Sequence, residues 1–214
     1  LLQVAQLYQD KFRNVGEAIK MFQRVLDVDG ANEIAVTTLK QIYEARKDWE
    51  SFVNLGRREI ELTDDSQVRM ERTLALALLA TEKIRKPDVC VVLWEQVRSF
   101  DPGNAEALSA LAGLYERGRD YPNLAEVLRL QVETVTEPGP RKDILLKLGL
   151  LFGDKIPDDG SSIDIWRQIM ALDPADRRAP EQIKKRYLAL RAWDDIEAFY
   201  EETGATRDVI QNHL

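Results

Sequence analysis

The sequence predicts an all-α protein, an α-solenoid of about six helix-turn-helix repeats organised as three 72-residue double repeats. Three observations support this prediction. The sequence aligns with itself, without a gap, when it is shifted by 72 residues, and three such units account for its 214 residues. Apolar residues recur at helical spacing within each unit. No segment shows the alternation of apolar and polar residues that is typical of a strand.

Equivalent positions in the three units carry the same kind of residue. The matching sets are Tyr43, Tyr115 and Tyr187; Trp49, Tyr121 and Trp193; Leu39, Leu111 and Ile183; Lys11, Lys83 and Lys155; Phe22, Trp94 and Trp166; and Asp29, Asp101 and Asp173. A unit of this size cannot bury its own apolar face, so neighbouring units must stack on one another.

Each unit divides into two helical pairs, which gives twelve main helices. In the fourth pair, Leu108, Leu111, Ala112 and Tyr115 fall at positions i, i+3, i+4 and i+7, which form one face of a helix. A short break at 117–120 follows, and the helical pattern then restarts. The turn inside the even pairs, at 47–49, 119–121 and 191–193, is shorter than the turn inside the odd pairs.

Helix starts are marked by residues that satisfy the first free backbone N–H groups. We expect N-caps at three equivalent positions, Asn32, Asn104 and Asp176. Prolines fall near helix starts, where a missing N–H costs nothing, at Pro87, Pro122 and Pro180.

These boundaries define a single repeat domain over residues 1–214. The approximate repeats are 1–30, 31–66, 67–102, 103–138, 139–174 and 175–204, with 205–214 as the start of a further helix or a cap. Because Leu1 begins within the helical pattern, we expect the sequence to be a fragment of a longer array.

The helical pairs resemble the tetratricopeptide repeat. That family's unit of roughly 34 residues has a large apolar residue, then Leu, a small residue and Tyr in its first helix. The fourth pair matches with Leu108, Leu111, Ala112 and Tyr115, and other pairs close with Asp101-Pro102 or Asp173-Pro174. The resemblance implies the fold and, in the family, a concave groove that is lined by the first helix of each pair and holds a partner.

Two positions depart from the family pattern. Lys40 and Lys184 occupy the small-residue position of the first helix in two even pairs. Phe52, Leu124 and Ile196 replace the small residue of the second helix. We expect the helices to lie farther apart at these points.

The resemblance also assigns the groove residues by position. The candidate partner-binding residues are Leu74, Leu78, Leu146, Leu150, Thr37, Gln41, Glu44, Ser109, Glu116, Arg117 and Lys185. An alternative stays open for the four leucines, which could instead pack between neighbouring helix pairs.

No residue pattern indicates catalysis, a metal site or a cofactor. Cys90 lies in a small-residue column and has no neighbouring His to activate it, and His213 has no second ligand nearby. The tryptophans all lie in repeat columns, so we expect each of them to be core: Trp49, Trp94, Trp166 and Trp193.

The composition bounds the partners and the compartment. The net charge of −7 argues against nucleic-acid binding, which depends on Lys and Arg. One cysteine suits a reducing compartment, and no segment has the signature of a signal peptide or a membrane span. We therefore expect a cytoplasmic protein that binds neither a membrane nor a small-molecule substrate.

The sequence favours a non-catalytic protein–protein interaction scaffold that binds a partner peptide or helix in its concave groove. One alternative is the regulatory repeat arm of an enzyme or signalling protein whose catalytic domain lies outside these residues. An RNA-binding helical repeat is a weaker alternative, because the chain is acidic. Self-association through the ends of the solenoid is a further expectation.

Overall fold

The computed structural model describes residues 1–11 and 14–203, and within them it confirms the all-α prediction, with twelve α-helices and no strand. The helices are α1 (Leu2–Asp10), α2 (Val15–Val28), α3 (Glu33–Ala45), α4 (Trp49–Glu61), α5 (Ser66–Leu79), α6 (Pro87–Phe100), α7 (Ala105–Gly118), α8 (Tyr121–Thr134), α9 (Pro138–Asp154), α10 (Asp159–Leu172), α11 (Arg178–Leu190) and α12 (Trp193–Glu202). A π-helical turn, Ala80–Ile84, continues α5. His213 and the segment 205–214 lie outside the described residues.

The helices form two compact units, Leu1–Pro102 and Gly103–Leu214. Within each unit a helix packs mainly against its neighbours in the chain. In the first unit α4 contacts α3 and α5, and in the second unit α9 contacts α8 and α10. Packing between sequential neighbours is the defining property of a helical repeat.

Two of the three predicted N-caps, Asn32 and Asn104, are confirmed, whereas Arg177 rather than Asp176 is the N-cap residue of α11. The side chains of Asn32 and Asn104 accept hydrogen bonds from the backbone N–H groups of Ala35 (3.1 Å) and Ala107 (3.0 Å). Asp176 accepts from two backbone N–H groups at the start of α11, the closer one at 2.8 Å. Each of these side chains satisfies backbone donors that the helix itself leaves free.

Asp176 is also the centre of a charged cluster that ties α9 to the start of α11. Its carboxylate lies 2.9 Å from Arg178 Nη2 and 2.7 Å from Lys142 Nζ, and Lys142 lies 2.6 Å from Asp173. The pKa of Asp176 lies well below its usual range, first because Arg178 donates a hydrogen bond to it and next because Lys142 does. The carboxylate is therefore charged at neutral pH.

The short turns of the even pairs share one backbone geometry. One residue of each turn adopts a left-handed conformation, with φ of 56°, 57° and 55° at Lys47, Arg119 and Arg191. The next N–H then bonds back to a tyrosine carbonyl at 2.8–3.0 Å; the pairs are Asp48 to Tyr43, Asp120 to Tyr115 and Ala192 to Tyr187. This is the Schellman type of helix ending, and it lets the second helix start at once.

In the odd pairs, small residues lie in the core between the two helices. Cys90 is buried, as are its equivalents Ala18 and Ser162. At Gly149 an added Cβ would lie 3.0 Å from the indole of Trp166, which is tighter than ordinary van der Waals contact. The two helices therefore approach more closely than a larger side chain would allow.

The prediction that all four tryptophans are core is wrong for two of them. Trp94 and Trp166 are buried, but Trp193 is 45% exposed and Trp49 is only half-buried. Trp49 and Trp193 are the first residues of α4 and α12, so they lie at the rim of the helix pair rather than between its helices. Lys83 Nζ lies 5.8 Å from the centre of the Trp49 indole and covers one side of it.

The second helix of the last pair lacks a cap that its two equivalents have. Asp48 and Asp120 cap α4 and α8, whereas Ala192 stands at the same place before α12 with a closely similar backbone (φ −83°, ψ 72°). We expect Ala192→Asn to raise the free energy of unfolding by about 1 kcal/mol, because its amide oxygen can accept from the first turn. Urea unfolding followed by circular dichroism measures the change.

The matched control is Asp120→Ala, which should lower the free energy of unfolding by about the same amount. An Ala192→Asn variant that unfolds at the wild-type urea concentration would contradict this account of the turn.

Candidate functional site

A cavity of about 460 Å³ lies in the second unit, between α7, α8 and α9. We call it the open groove. Its lining residues are Ser109, Ala112, Gly113 and Glu116 from α7; Tyr121, Leu124, Leu128 and Gln131 from α8; and Ile144, Lys147, Leu150, Leu151, Asp154 and Lys155 from α9 and its carboxyl end.

The floor and walls of the open groove are mostly apolar. Leu124, Leu128 and Leu151 are buried and form its base, while Leu150 is 49% exposed and stands on the α9 wall. An apolar surface of this kind is stabilised when another apolar group covers it.

The α7 wall is open because it carries two small residues. A Cβ added to Gly113 would meet only the guanidinium of Arg117, at 3.7 Å, so no other side chain covers this part of the wall. Ala112, beside it, has a single methyl group. The open space is therefore a direct consequence of small residues at two adjacent positions.

The groove has two distinguishable ends. Helix α8 runs antiparallel to α7 and to α9, since short connections join each pair, and α7 and α9 therefore run parallel. Lys155 Nζ lies 6.0 Å from the centre of the Tyr121 ring, which places the carboxyl end of α9 beside the start of α8. Glu116 and Asp154 lie at this end, and Ser109 and Gln131 lie towards the other.

The charged groups of the groove are only partly neutralised. Asp154 lies 3.6 Å from Arg186, and Lys155 lies over Tyr121. Within the part of the chain that the structure describes, Glu116 and Lys147 form no ion pair. These two side chains can therefore interact with a bound partner without first breaking a contact.

The first unit contains the equivalent site in a closed form, between α3, α4 and α5. Its cavity is about 200 Å³, and we call it the closed groove. A shift of 72 residues carries Lys40, Phe52, Glu59 and Arg72 of this site onto residues of the open groove. The two grooves are thus the same place in the repeat with different side chains.

Three charged side chains fill the closed groove. Lys40 forms an ion pair with Glu59, and Glu59 lies 3.2 Å from Arg72. The Lys40 ammonium also lies 5.9 Å from the centre of the Phe52 ring. The equivalents of these three charged residues in the open groove are Ala112, Gln131 and Ile144, none of which carries a charge.

The structure brings together only some of the predicted partner-binding residues. Three of them, Ser109, Glu116 and Leu150, line the open groove, and Arg117 lies beside Gly113. Their role in binding stays a prediction.

The remaining predicted residues lie elsewhere. Thr37 lines a neighbouring cavity of about 390 Å³ in the first unit, which shares Glu59 and Arg72 with the closed groove. The others line neither groove: Gln41, Glu44 and Lys185 are exposed on α3 and α11, Leu78 is exposed on α5, and Leu74 and Leu146 are half-buried. Packing between neighbouring helix pairs, the alternative to partner binding, thus agrees better with the half-buried Leu74 and Leu146 than with the exposed Leu78 and Leu150.

The repeat pattern alone does not identify the residues that decide whether a groove is open. The pattern assigns Ala112 to the apolar face of its helix. It assigns Lys40 to a small-residue position, where a larger side chain is expected to hold two helices farther apart. The structure instead places Lys40 in the closed groove, ion-paired with Glu59. The signal is present in the sequence, because Lys40, Ala112 and Lys184 occupy one repeat column.

The fold and the groove define a class: a protein built from stacked helix pairs with an apolar groove between successive pairs. Residues 107–142, which include much of α7 and all of α8, match the tetratricopeptide repeat family model. This match confirms the type of helical repeat predicted from the sequence. No curated protein matches the chain.

The chain is similar to several solved structures at low sequence identity. The complex of Naa15/Naa10 bound to HypK-THB matches 93% of this chain and 30% of that chain, with 16% identity and a TM-score of 0.51. MamA matches 80% of this chain and 90% of its own, with 16% identity and a TM-score of 0.42. YrrB, a TPR protein with an unusual peptide-binding site, matches 82% and 86%, with 11% identity and a TM-score of 0.40.

Two further properties concern the whole described chain. Over the residues that the structure describes, no helix has the length and apolar character needed to cross a bilayer. The same residues include no cluster of three or more His, Cys, Asp or Glu side chains that could hold a metal ion.

Removal of the three charges should open the closed groove. We expect the variant Lys40→Ala, Glu59→Gln, Arg72→Ile to enlarge the cavity between α3, α4 and α5 from about 200 Å³ towards 460 Å³. The physical reason is that this variant carries, at all three positions, the residue that stands at the equivalent position of the open groove. A crystal structure of the variant measures the volume.

The control is Arg72→Ile alone, which keeps the ion pair between Lys40 and Glu59 and should leave the groove closed. A triple variant in which neighbouring side chains collapse and the cavity stays near its original volume would show that these three residues do not set the difference.

Proposed function

We propose that this chain is a non-catalytic protein–protein interaction scaffold and that the open groove binds a segment of a partner protein. The observation that carries the proposal is the contrast between the two equivalent grooves. One is filled by the chain's own side chains, and the other has a leucine base and the exposed Leu150 beside the small residues Ala112 and Gly113.

The groove has the features of a binding site for side chains rather than for a reaction. Its volume of about 460 Å³ suits a few apolar side chains of a peptide. Its polar groups, among them Ser109, Gln131, Glu116 and Lys147, stand around an apolar base, where they can orient a partner and give specificity.

Closing the open groove tests the proposal directly. The variant Ala112→Lys with Gln131→Glu transfers the pair Lys40 and Glu59 to the second unit. The probe is a phage-displayed library of random twelve-residue peptides, selected on the immobilised wild-type chain. We expect peptides from the wild-type pool to bind the variant at least about tenfold more weakly, because the new ion pair occupies their site.

The control is Ala189→Lys, which makes the same alanine-to-lysine change at an exposed position of α11. It should bind the wild-type pool unchanged. The closed variant should also unfold within about 0.5 kcal/mol of the wild type, because lysine already occupies the equivalent positions 40 and 184. Equal binding of the pool by wild type and closed variant, or a wild-type chain that selects no peptides, would overturn the proposal.

A further inference from the structure

The closed groove shows which chemistry this place in the repeat accommodates. There the chain's own Glu59 extends a carboxylate into the groove, between the cations of Lys40 and Arg72, and the Lys40 ammonium lies 5.9 Å from the centre of the Phe52 ring. A carboxylate next to an apolar side chain thus fits between the three helices when a cation is present to pair with it.

The open groove has no carboxylate at the position equivalent to Glu59, and it has a cation at a different position. Gln131 of α8 occupies the position equivalent to Glu59. Lys147 of α9 occupies the position equivalent to Ala75 of the closed groove. Lys147 is exposed and, among the residues that the structure describes, has no ion-pair partner. The open groove therefore has an apolar base and a cation, but no carboxylate at the position equivalent to Glu59.

Among the residues that the structure describes, the neighbouring acidic side chains form no ion pair with Lys147. Asp154 lies two turns away on α9, about 10 Å along the helix, and is 3.6 Å from Arg186. Asp143 precedes Lys147 by one turn and lies near Arg178, whose pKa is raised first by Asp176 and in smaller part by Asp143. Glu116 lies on the opposite wall, next to Arg117 in the sequence.

The groove therefore differs in charge from the chain that carries it. Its lining carries two basic and two acidic side chains, whereas the whole chain has a net charge of −7. Complementary charge mainly sets the specificity and the rate of association of a partner.

We infer that the occupant of the open groove is a peptide segment with a large aliphatic or aromatic side chain beside an acidic one. The apolar side chain covers Leu124, Leu128 and Leu150, and the carboxylate pairs with Lys147. This inference rests on the proposed function, because it names the chemistry of the partner that the same groove binds.

Selection of random twelve-residue peptides on charge variants tests the inference. On the wild-type chain, Asp or Glu should be enriched next to Leu, Ile, Phe or Trp. On Lys147→Glu, the enriched neighbour should change to Lys or Arg. The matched control is Arg24→Glu, which makes the same change of charge sign at an exposed position of α2. This variant should select the same peptide consensus as the wild type.

One selected peptide then isolates the contact. Changing its acidic residue to the amide should weaken binding to the wild-type chain about two- to fivefold, as expected for an exposed ion pair. The same change should have no effect on binding to Lys147→Ala. A pairwise effect of this kind is specific to the two charges.

The outcomes separate the inference from the proposed function. If the variant Ala112→Lys with Gln131→Glu loses the peptides but acidic residues are not enriched, the inference is wrong and the proposed function stands. The inference is also wrong, and the proposed function again stands, if the amide change weakens binding to Lys147→Ala as much as to wild type. If the closed variant retains the peptides, both are wrong.

Discussion

The close packing of a small residue on one helix against a large residue on its neighbour is the interaction on which the rest of the structure depends. Gly149 shows the constraint most clearly, because an added Cβ would press on the Trp166 indole at 3.0 Å. Gly56 shows it in the first unit, where an added Cβ would lie 2.8 Å from Leu76. Contacts this close fix the separation of the helices, and they recur because each helix pair must bury its apolar face against the next.

The same framework leaves a few lining positions free to vary, and those positions distinguish the two grooves. The backbone of an even helix pair and the following helix forms a groove in both units. At the lining position of the first helix, Lys40 reaches its partner Glu59 and fills the space, whereas Ala112 leaves it empty. Equivalent places in a repeated fold can therefore differ in cavity volume through a few side chains.

The sequence predicts the helices and their ends well, because periodic apolar residues, caps and turns act locally. Asn32 and Asn104 are recognisable as caps, and the tight turns at Lys47, Arg119 and Arg191 follow from a short spacer between two helical patterns. The groove is less predictable. Its opening depends on which side chains meet across three helices, and neither the pairing of Lys40 with Glu59 nor the exposure of Trp193 is visible in one repeat column alone.

The measurement that tests the central claim most directly is a map of peptide contacts by methyl NMR on the full chain with labelled leucines. Addition of a selected peptide should shift the methyl resonances of Leu124, Leu128, Leu150 and Leu151 in the open groove. The resonances of Leu76 and Leu79, which line the closed groove, should stay in place. Equal shifts in both grooves, or shifts only outside the open groove, would contradict the claim that side chains at a few repeat positions decide where this chain binds.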